Sequence, residues 1–178
     1  MALKPTIFKF GIALSDIDEN RYLDLNLTVA QHPSETVERM MVRLLVYCLN
    51  VEEGLEFTRG LSDTNEPDLW QRSLDDRILK WIEVGEPATD RLVKASRIAE
   101  HVQVYTFNSK SDVWWRQHGS EIEGASVKVF QFEWDEICQL AKLVQRTLQL
   151  SVTISGLSAF IAAESGSVEV SWRELTSM

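Results

Sequence analysis

Positive charge is scarce in this chain. Lysine and arginine number 18 against 27 aspartates and glutamates, a formal net charge of −9 at pH 7. Nonspecific nucleic-acid binding relies on basic side chains that neutralise phosphates, so net charge does not support a nucleic-acid partner. Cysteine is scarcer still. Cys48 and Cys138 stand far apart, each inside a predicted helix. That is neither a disulfide framework nor a metal-ligand spacing, and it predicts two buried thiols in a reducing compartment. No apolar run approaches the roughly 20 residues that a membrane span needs. The amino-terminal "MALKPTIFKFGIAL" alternates, with Lys4 and Lys9 inside the pattern, unlike the continuous apolar stretch of a signal peptide. Glycine-rich phosphate loops and the G-x-S-x-G elbow are absent. With no low-complexity segment or linker either, the expectation is a single domain over 1–178, cytoplasmic, with no membrane partner and enough chain to bury a core.

What is present is patterned. "PTIFKFGIALSD" and "RYLDLNLTVAQH" alternate with period two about the turn-like "DIDEN" and predict a β-hairpin. A helix follows over "SETVERMMVRLLVYCLNVEEG". Ser34 is its expected N-cap, Met40, Met41, Leu44, Leu45 and Cys48 form its apolar stripe, and Gly54 marks its stop. "LEFTRGL" is a short strand or loop, and "DLWQRSL" and "RILKWIEVG" are strands about an Asp75-Asp76 turn. "ATDRLVKASRIAEHV" predicts a helix capped by Thr89, and "VQVYTFN" a buried strand. "SKSDVWWRQHGSEI" predicts a helix ending near Gly119, "SVKVFQFE" a strand and "WDEICQLAKLVQRT" a helix. Three antiparallel strands complete the tail. The fold class is therefore α/β (α+β). A mixed-sheet core flanked by helices spans residues 34–146, and residues 3–32 and 147–173 add a second, antiparallel sheet.

The chemistry-bearing residues fall on that core. If "DLWQRSL" and "RILKWIEVG" pair as a hairpin, Asp68 at the start of one lies beside Glu83 near the end of the other, about 5 Å apart at Cβ. Adjacent carboxylates repel unless a cation joins them, and Mg²⁺ (or Mn²⁺), with its preference for oxygen ligands, is the expected partner. Trp81 shares the parity of Glu83, so that face is not wholly polar. Lys94, on the second turn of the following helix and off its apolar stripe, is the candidate to polarise an attacking water. Glu38 is a candidate third metal ligand. Arg39 and Arg43, four apart on one helical face, are candidates to grip a phosphate. Asn108 ends the central strand, where α/β clefts form, and is a candidate substrate contact. Residues 89–118 hold Arg91, Lys94, Arg97, Lys110 and Arg116 against Asp90, Glu100 and Asp112, a mildly basic stretch in an acidic chain.

Seven segments in order, "MALKPTIFKF", "HPSETVERMMVRLL", "FTRGL", "EPDLW", "WIEVGEP", "YTFNS" and "DVWW", make the chain resemble the YaeQ family of bacterial proteins from its amino terminus into its tail. That family is similar in fold to the PD-(D/E)XK nuclease superfamily, with a restriction-endonuclease-like core and extra strands. The resemblance implies that Pro67-Asp68 stands for the first motif and Glu83 for the second acid. Gly85 holds the usual lysine position, and Lys94 is the implied migrated replacement. The resulting expectation is a divalent-metal-dependent phosphodiester hydrolase. The alternative is an inactive nuclease-fold module that acts through protein partners. A third reading is a metal-free protein–protein interaction domain in which Asp68 and Glu83 merely pair with Arg91 or Lys94.

Overall fold

The computed structural model describes residues 3–176. In chain order they form β1 (Thr6–Asp16), β2 (Arg21–Gln31), α1 (Val37–Leu49), β3 (Leu55–Phe57), a 3₁₀ turn (Gly60–Ser62), β4 (Leu69–Arg72), β5 (Ile78–Val84) and α2 (Thr89–Ile98). They continue as β6 (Ala99–Thr106), α3 (Ser111–Glu123), β7 (Val127–Phe132), α4 (Trp134–Ala141), β8 (Thr147–Ser155), β9 (Ser158–Ala163) and β10 (Gly166–Glu174). This mixed α+β chain divides into two compact units. The first comprises residues up to Leu49 together with Glu133–Trp172, and the second comprises Asn50–Phe132 with the chain from Arg173 onward. Among the described residues no helix is long and apolar enough to cross a membrane.

In the first unit the predicted hairpin forms, β1 pairing antiparallel with β2 from Thr6↔Gln31 to Asp16↔Arg21. Its alternation places Phe8, Phe10, Ile12 and Leu14 in the core. The tail strands β8, β9 and β10 pair antiparallel in sequence. β1 and β8, however, run parallel, from Lys9↔Thr147 to Asp16↔Ile154. The expected antiparallel second sheet is therefore mixed. The order of the strands was legible, but their relative direction depends on the path of the chain between them, which side-chain alternation does not encode.

α1 starts two residues later than its predicted cap. Thr36 Oγ1 accepts the Arg39 N–H at 3.2 Å, whereas Ser34 bonds the His32 ring within a turn closed by Glu35 N–H to His32 O at 2.9 Å. The predicted stripe is buried, but so are Val42, Arg43 and Val46, so this helix is enclosed nearly all round. The helix also ends at Leu49, before Gly54, which turns the chain into β3.

The second unit contains the middle of the predicted 34–146 core, whose first and last helices, α1 and α4, fall in the first unit. β3, β4 and β5 form an antiparallel meander, and β6 and β7 then add in parallel. α2 and α3 supply the crossovers. Leu92 and Ala95 of α2 and Trp114 and Ile122 of α3 pack on Trp81, Val102, Val104, Val127 and Val129 of the sheet. Burial of such side chains contributes on the order of 1.5–3 kcal/mol each.

The ends of α2, α3 and α4 also differ from expectation, α4 stopping at Ala141 rather than continuing through "KLVQRT". α2 stops at Ile98 because Ala99 is already extended (φ −115°, ψ 148°) and pairs with Ile78 of β5. Parallel pairing wins over helix propensity there. α3 runs through Gly119 to Glu123. That glycine is a packing residue: a Cβ there would lie 2.9 Å from Trp115 Cε2. Cys48 is buried as expected, but Cys138 is only half-buried.

Candidate functional site

The β4–β5 hairpin positions both acids. Its turn is closed by Ser73 N–H to Arg77 O at 2.9 Å, with Asp76 at φ 64°. Leu69 is thereby brought opposite Ile82, and Asp68 N–H donates to Ile82 O at 3.1 Å. Asp68 and Glu83 are thus neighbours across the two strands, as the spacing predicted. Both are buried, at 3% and 5% exposure, so the pair is not displayed on an open surface.

Each carboxylate has defined partners. Asp68 Oδ2 accepts the Val84 N–H at 2.8 Å. Glu83 Oε1 accepts the Trp81 indole N–H at 2.8 Å and Arg91 Nε–H at 2.6 Å. Trp81 shares the face of Glu83, as parity required, and its ring polarity is used to hold the acid. Burial pushes the Glu83 carboxyl above its ordinary range, and the neighbouring charge of Asp68 adds to this. Arg91 and the Trp81 N–H act in the opposite direction without overcoming it. The raised value thus reflects chiefly the dry setting of Glu83, with Asp68 beside it.

Arg91, on the first turn of α2, is the cation at this site. Besides Glu83 it donates to the carbonyls of Thr64 and Glu66, and its guanidinium carbon lies 5.7 Å from the centre of the Trp81 ring. Lys94, one turn further along α2, is exposed, and the ion pair to Glu83 is made by Arg91. The helix turns back from the end of β5, so its first turn faces the acids. That geometry was available from the sequence and favours Arg91 over Lys94.

Sequence reasoning also missed residues 58–66, which lie over Asp68. Thr58 N–H donates to Asp68 O at 3.2 Å, and Thr58 Oγ1 donates to Pro67 O. Gly60, at φ +53°, passes so close that its Cβ position would be 3.7 Å from Asp68 Oδ1. The segment is stapled by Arg59 to Glu66, through the backbone N–H at 2.9 Å and Nη2 at 3.1 Å. These bonds hold the Glu66 carboxyl below its usual range.

The other candidates are placed differently. Asn108 does end β6 beside the site's strand, but its amide N–H donates to Glu86 at 2.9 Å and its Oδ1 accepts Lys110 N–H at 2.8 Å. With Ser111, whose Oγ meets Thr106 and accepts Asn108 N–H at 3.1 Å, it fixes the start of α3. Glu38, Arg39 and Arg43 belong to the first unit. There Arg39 and Arg43 close on Glu35, Arg43 through two bonds at 2.8 and 2.5 Å and Arg39 at 2.6 Å. Arg43 also donates to Ala30 O at 2.9 Å. Its fork is committed to structure rather than presented to a phosphate.

Among the described residues no three or more His, Cys, Asp or Glu side chains converge as a metal cage. Asp68 and Glu83 by themselves fit one hard cation that keeps water or takes substrate oxygens, the habit of Mg²⁺. The oxygen chemistry of two adjacent carboxylates is what favours that fit.

The family whose sequence model is described as "YaeQ protein" matches residues 1–172. "Uncharacterized protein YaeQ" of Salmonella typhi is 40% identical over 172 residues, 96% of this chain and 95% of that protein. Its namesake in Escherichia coli K12 is 38% identical over the same coverage. Among solved structures, the YaeQ protein from Xanthomonas axonopodis pv. citri matches with a TM-score of 0.93 at 32% identity, over 98% of this chain and 99% of that one. The YaeQ protein from Pseudomonas syringae matches with a TM-score of 0.88 at 40% identity, over 98% and 97%.

Proposed function

This chain belongs to the YaeQ protein family, and from its buried acid pair we propose that it is a divalent-metal-dependent phosphodiester hydrolase of the PD-(D/E)XK type. The observation that carries the reading is the Asp68–Glu83 pair, two buried carboxylates opposed across two strands. The placement of the acids on the β4–β5 hairpin, between α1 and α2 in the chain, supports it.

Asp68 and Glu83 hold the ion. When bound, Mg²⁺ or Mn²⁺ supplies Lewis acidity to a phosphoryl oxygen and lowers the pKa of a coordinated water. The Val84 N–H and the Trp81 indole fix the two carboxylates in orientation. Arg91 supplies positive charge at Glu83, whereas the resemblance implied Lys94 as the group that orients water. An acidic surface repels polyanions, so substrate contact depends on the metal and on local bases rather than on the overall field.

Titration calorimetry of Mg²⁺ and Mn²⁺ into the wild type, Asp68→Ala and Glu83→Ala tests the reading. Saturable binding that disappears in both variants supports it. Absence of binding in the wild type, or equal binding in all three, overturns it.

A second reading, a nuclease-fold module that does not cut and works through protein partners, is favoured by one observation: the exposed Lys94 leaves no lysine on the acids. Metal binding without turnover of single- or double-stranded DNA or RNA would select this second reading.

A further inference from the structure

Arg91 touches both the acid pair and the segment laid over it. One edge of its guanidinium donates to Glu83 Oε1 at 2.6 Å, and the other nitrogens donate to the carbonyls of Thr64 and Glu66. The same side chain therefore neutralises the site and ties residues 58–66 down to α2. Two adjacent carboxylates are oxygen donors of the kind a hard divalent ion prefers, so such an ion would compete with Arg91 for Glu83. Arg91 is the more readily displaced party, since its side chain is 29% exposed while that of Glu83 is 7% exposed. The segment it holds is already wetted: Arg59 is 70% exposed at its side chain, and Leu61 is 46% exposed.

We infer that Arg91 is a built-in competitor for the metal: a divalent cation takes Glu83 from Arg91, and the release of Arg91 frees residues 58–66 to open the cleft. This inference rests on the metal-binding reading above. It makes the metal-free protein a closed state, held by its own arginine, in which the acids are shielded from adventitious cations and the substrate path is covered. A guanidinium suits that role because it is weakly hydrated and its planar fork can bond a carboxylate and backbone carbonyls at once. The compact ammonium of a lysine has neither the reach nor the fork.

The test combines Mn²⁺ calorimetry with amide hydrogen exchange of residues 58–66, on the full chain as wild type, Arg91→Gln and Arg91→Lys. The expected result is that Arg91→Gln binds Mn²⁺ at least about tenfold tighter than wild type, a factor equivalent to about 1.4 kcal/mol. Saturating Mn²⁺ should speed exchange in 58–66 of the wild type, and Arg91→Gln should show that fast exchange without metal. If the wild type binds Mn²⁺ and Arg91→Gln binds it no better, or if Mn²⁺ slows exchange of the segment, the competition is overturned while the metal site stands. If none of the proteins binds Mn²⁺, both fall. Should Arg91→Gln fail to fold, Arg91→Lys and the wild-type exchange data decide. The lysine variant is expected to exchange 58–66 faster than wild type before metal is added, and unchanged exchange overturns the inference.

Discussion

Each unit of this protein buries acid against arginine, in opposite proportions. In the first unit one carboxylate, Glu35, takes two arginines. Its side chain is 1% exposed, Arg43 binds it through two hydrogen bonds and Arg39 through one. In the second unit two neighbouring carboxylates, Asp68 and Glu83, are buried, and a single arginine, Arg91, pairs with Glu83. The first arrangement is saturated. Every charge has a near partner, the Ala30 carbonyl takes a further donor, and nothing in the network asks for a ligand. In the second, burial and the neighbouring charge of Asp68 raise the proton affinity of Glu83 despite Arg91. Burial of charge alone does not mark a functional site. The raised proton affinity beside an arginine is the difference on which we propose the second cluster as the functional one.

The largest expected effect falls on the saturated network. Glu35→Ala leaves the buried Arg43 without its carboxylate and should cost about 3–5 kcal/mol of stability, read by urea denaturation. Divalent metal should restore none of it. If Glu35→Ala were nearly neutral, the contrast between a structural and a poised acid cluster would collapse. Asp68→Asn should behave in the opposite way. The amide oxygen can still accept the Val84 N–H while the like charge facing Glu83 is gone, so stability without metal should be equal to or above wild type, within about 1 kcal/mol. The same variant should lose Mg²⁺ binding. A large destabilisation by Asp68→Asn would mean that the second cluster is structural too.

Much of this was written in the sequence, unevenly. Alternation in "TIFKF" and "RILKWIEV" identified strands, and the two-strand hairpin placed Asp68 beside Glu83 without any coordinates, because a hairpin's register follows from its turn. The parallel β1–β8 pairing was not legible, since nothing in either strand's pattern states direction. Arg43 looked like an exposed phosphate clamp because helical spacing assigns it a face but not what covers that face. α1 proved to be buried nearly all round. Lys94 was chosen over Arg91 by analogy to a missing lysine, whereas the turn-back of the chain after Pro87 brings the first helical turn to the acids. Residues 58–66 were invisible as part of the site because their contacts to Asp68 are largely backbone contacts, which no side-chain pattern records.

The same raised proton affinity should show in the pH dependence of stability. Glu83 has a folded pKa above its ordinary value near 4.5. The folded state therefore binds its proton more readily than the unfolded state does. Its contribution to stability is full below the ordinary value and is lost as pH rises through the raised one. Denaturant midpoints should thus show a gain from Glu83 as pH falls from neutral toward 4.5, and Glu83→Gln should abolish that component. Saturating Mg²⁺ should flatten it as well, since a bound cation favours the ionised carboxylate. A Glu83-dependent profile of the opposite slope would mean that Arg91 alone suffices to neutralise the pair.

The smallest expected effect belongs to Lys94, and it separates Lys94 from Arg91 on α2. Lys94 is exposed and lies one helical turn beyond the residue that reaches Glu83. Lys94→Ala should change stability by no more than about 0.5 kcal/mol and leave the affinity for Mn²⁺ unaltered, while Arg91→Gln shifts it. The reason is distance in a screened medium. An exposed ammonium is surrounded by water and salt, and its field decays over roughly 8–10 Å, whereas the Arg91 guanidinium contacts the carboxylate directly in a dry setting. A Lys94→Ala variant that bound metal normally but lost phosphodiester turnover would return the lysine to the reaction as the group that activates water. Equal turnover would leave Arg91 as the only α2 cation that matters to the acids.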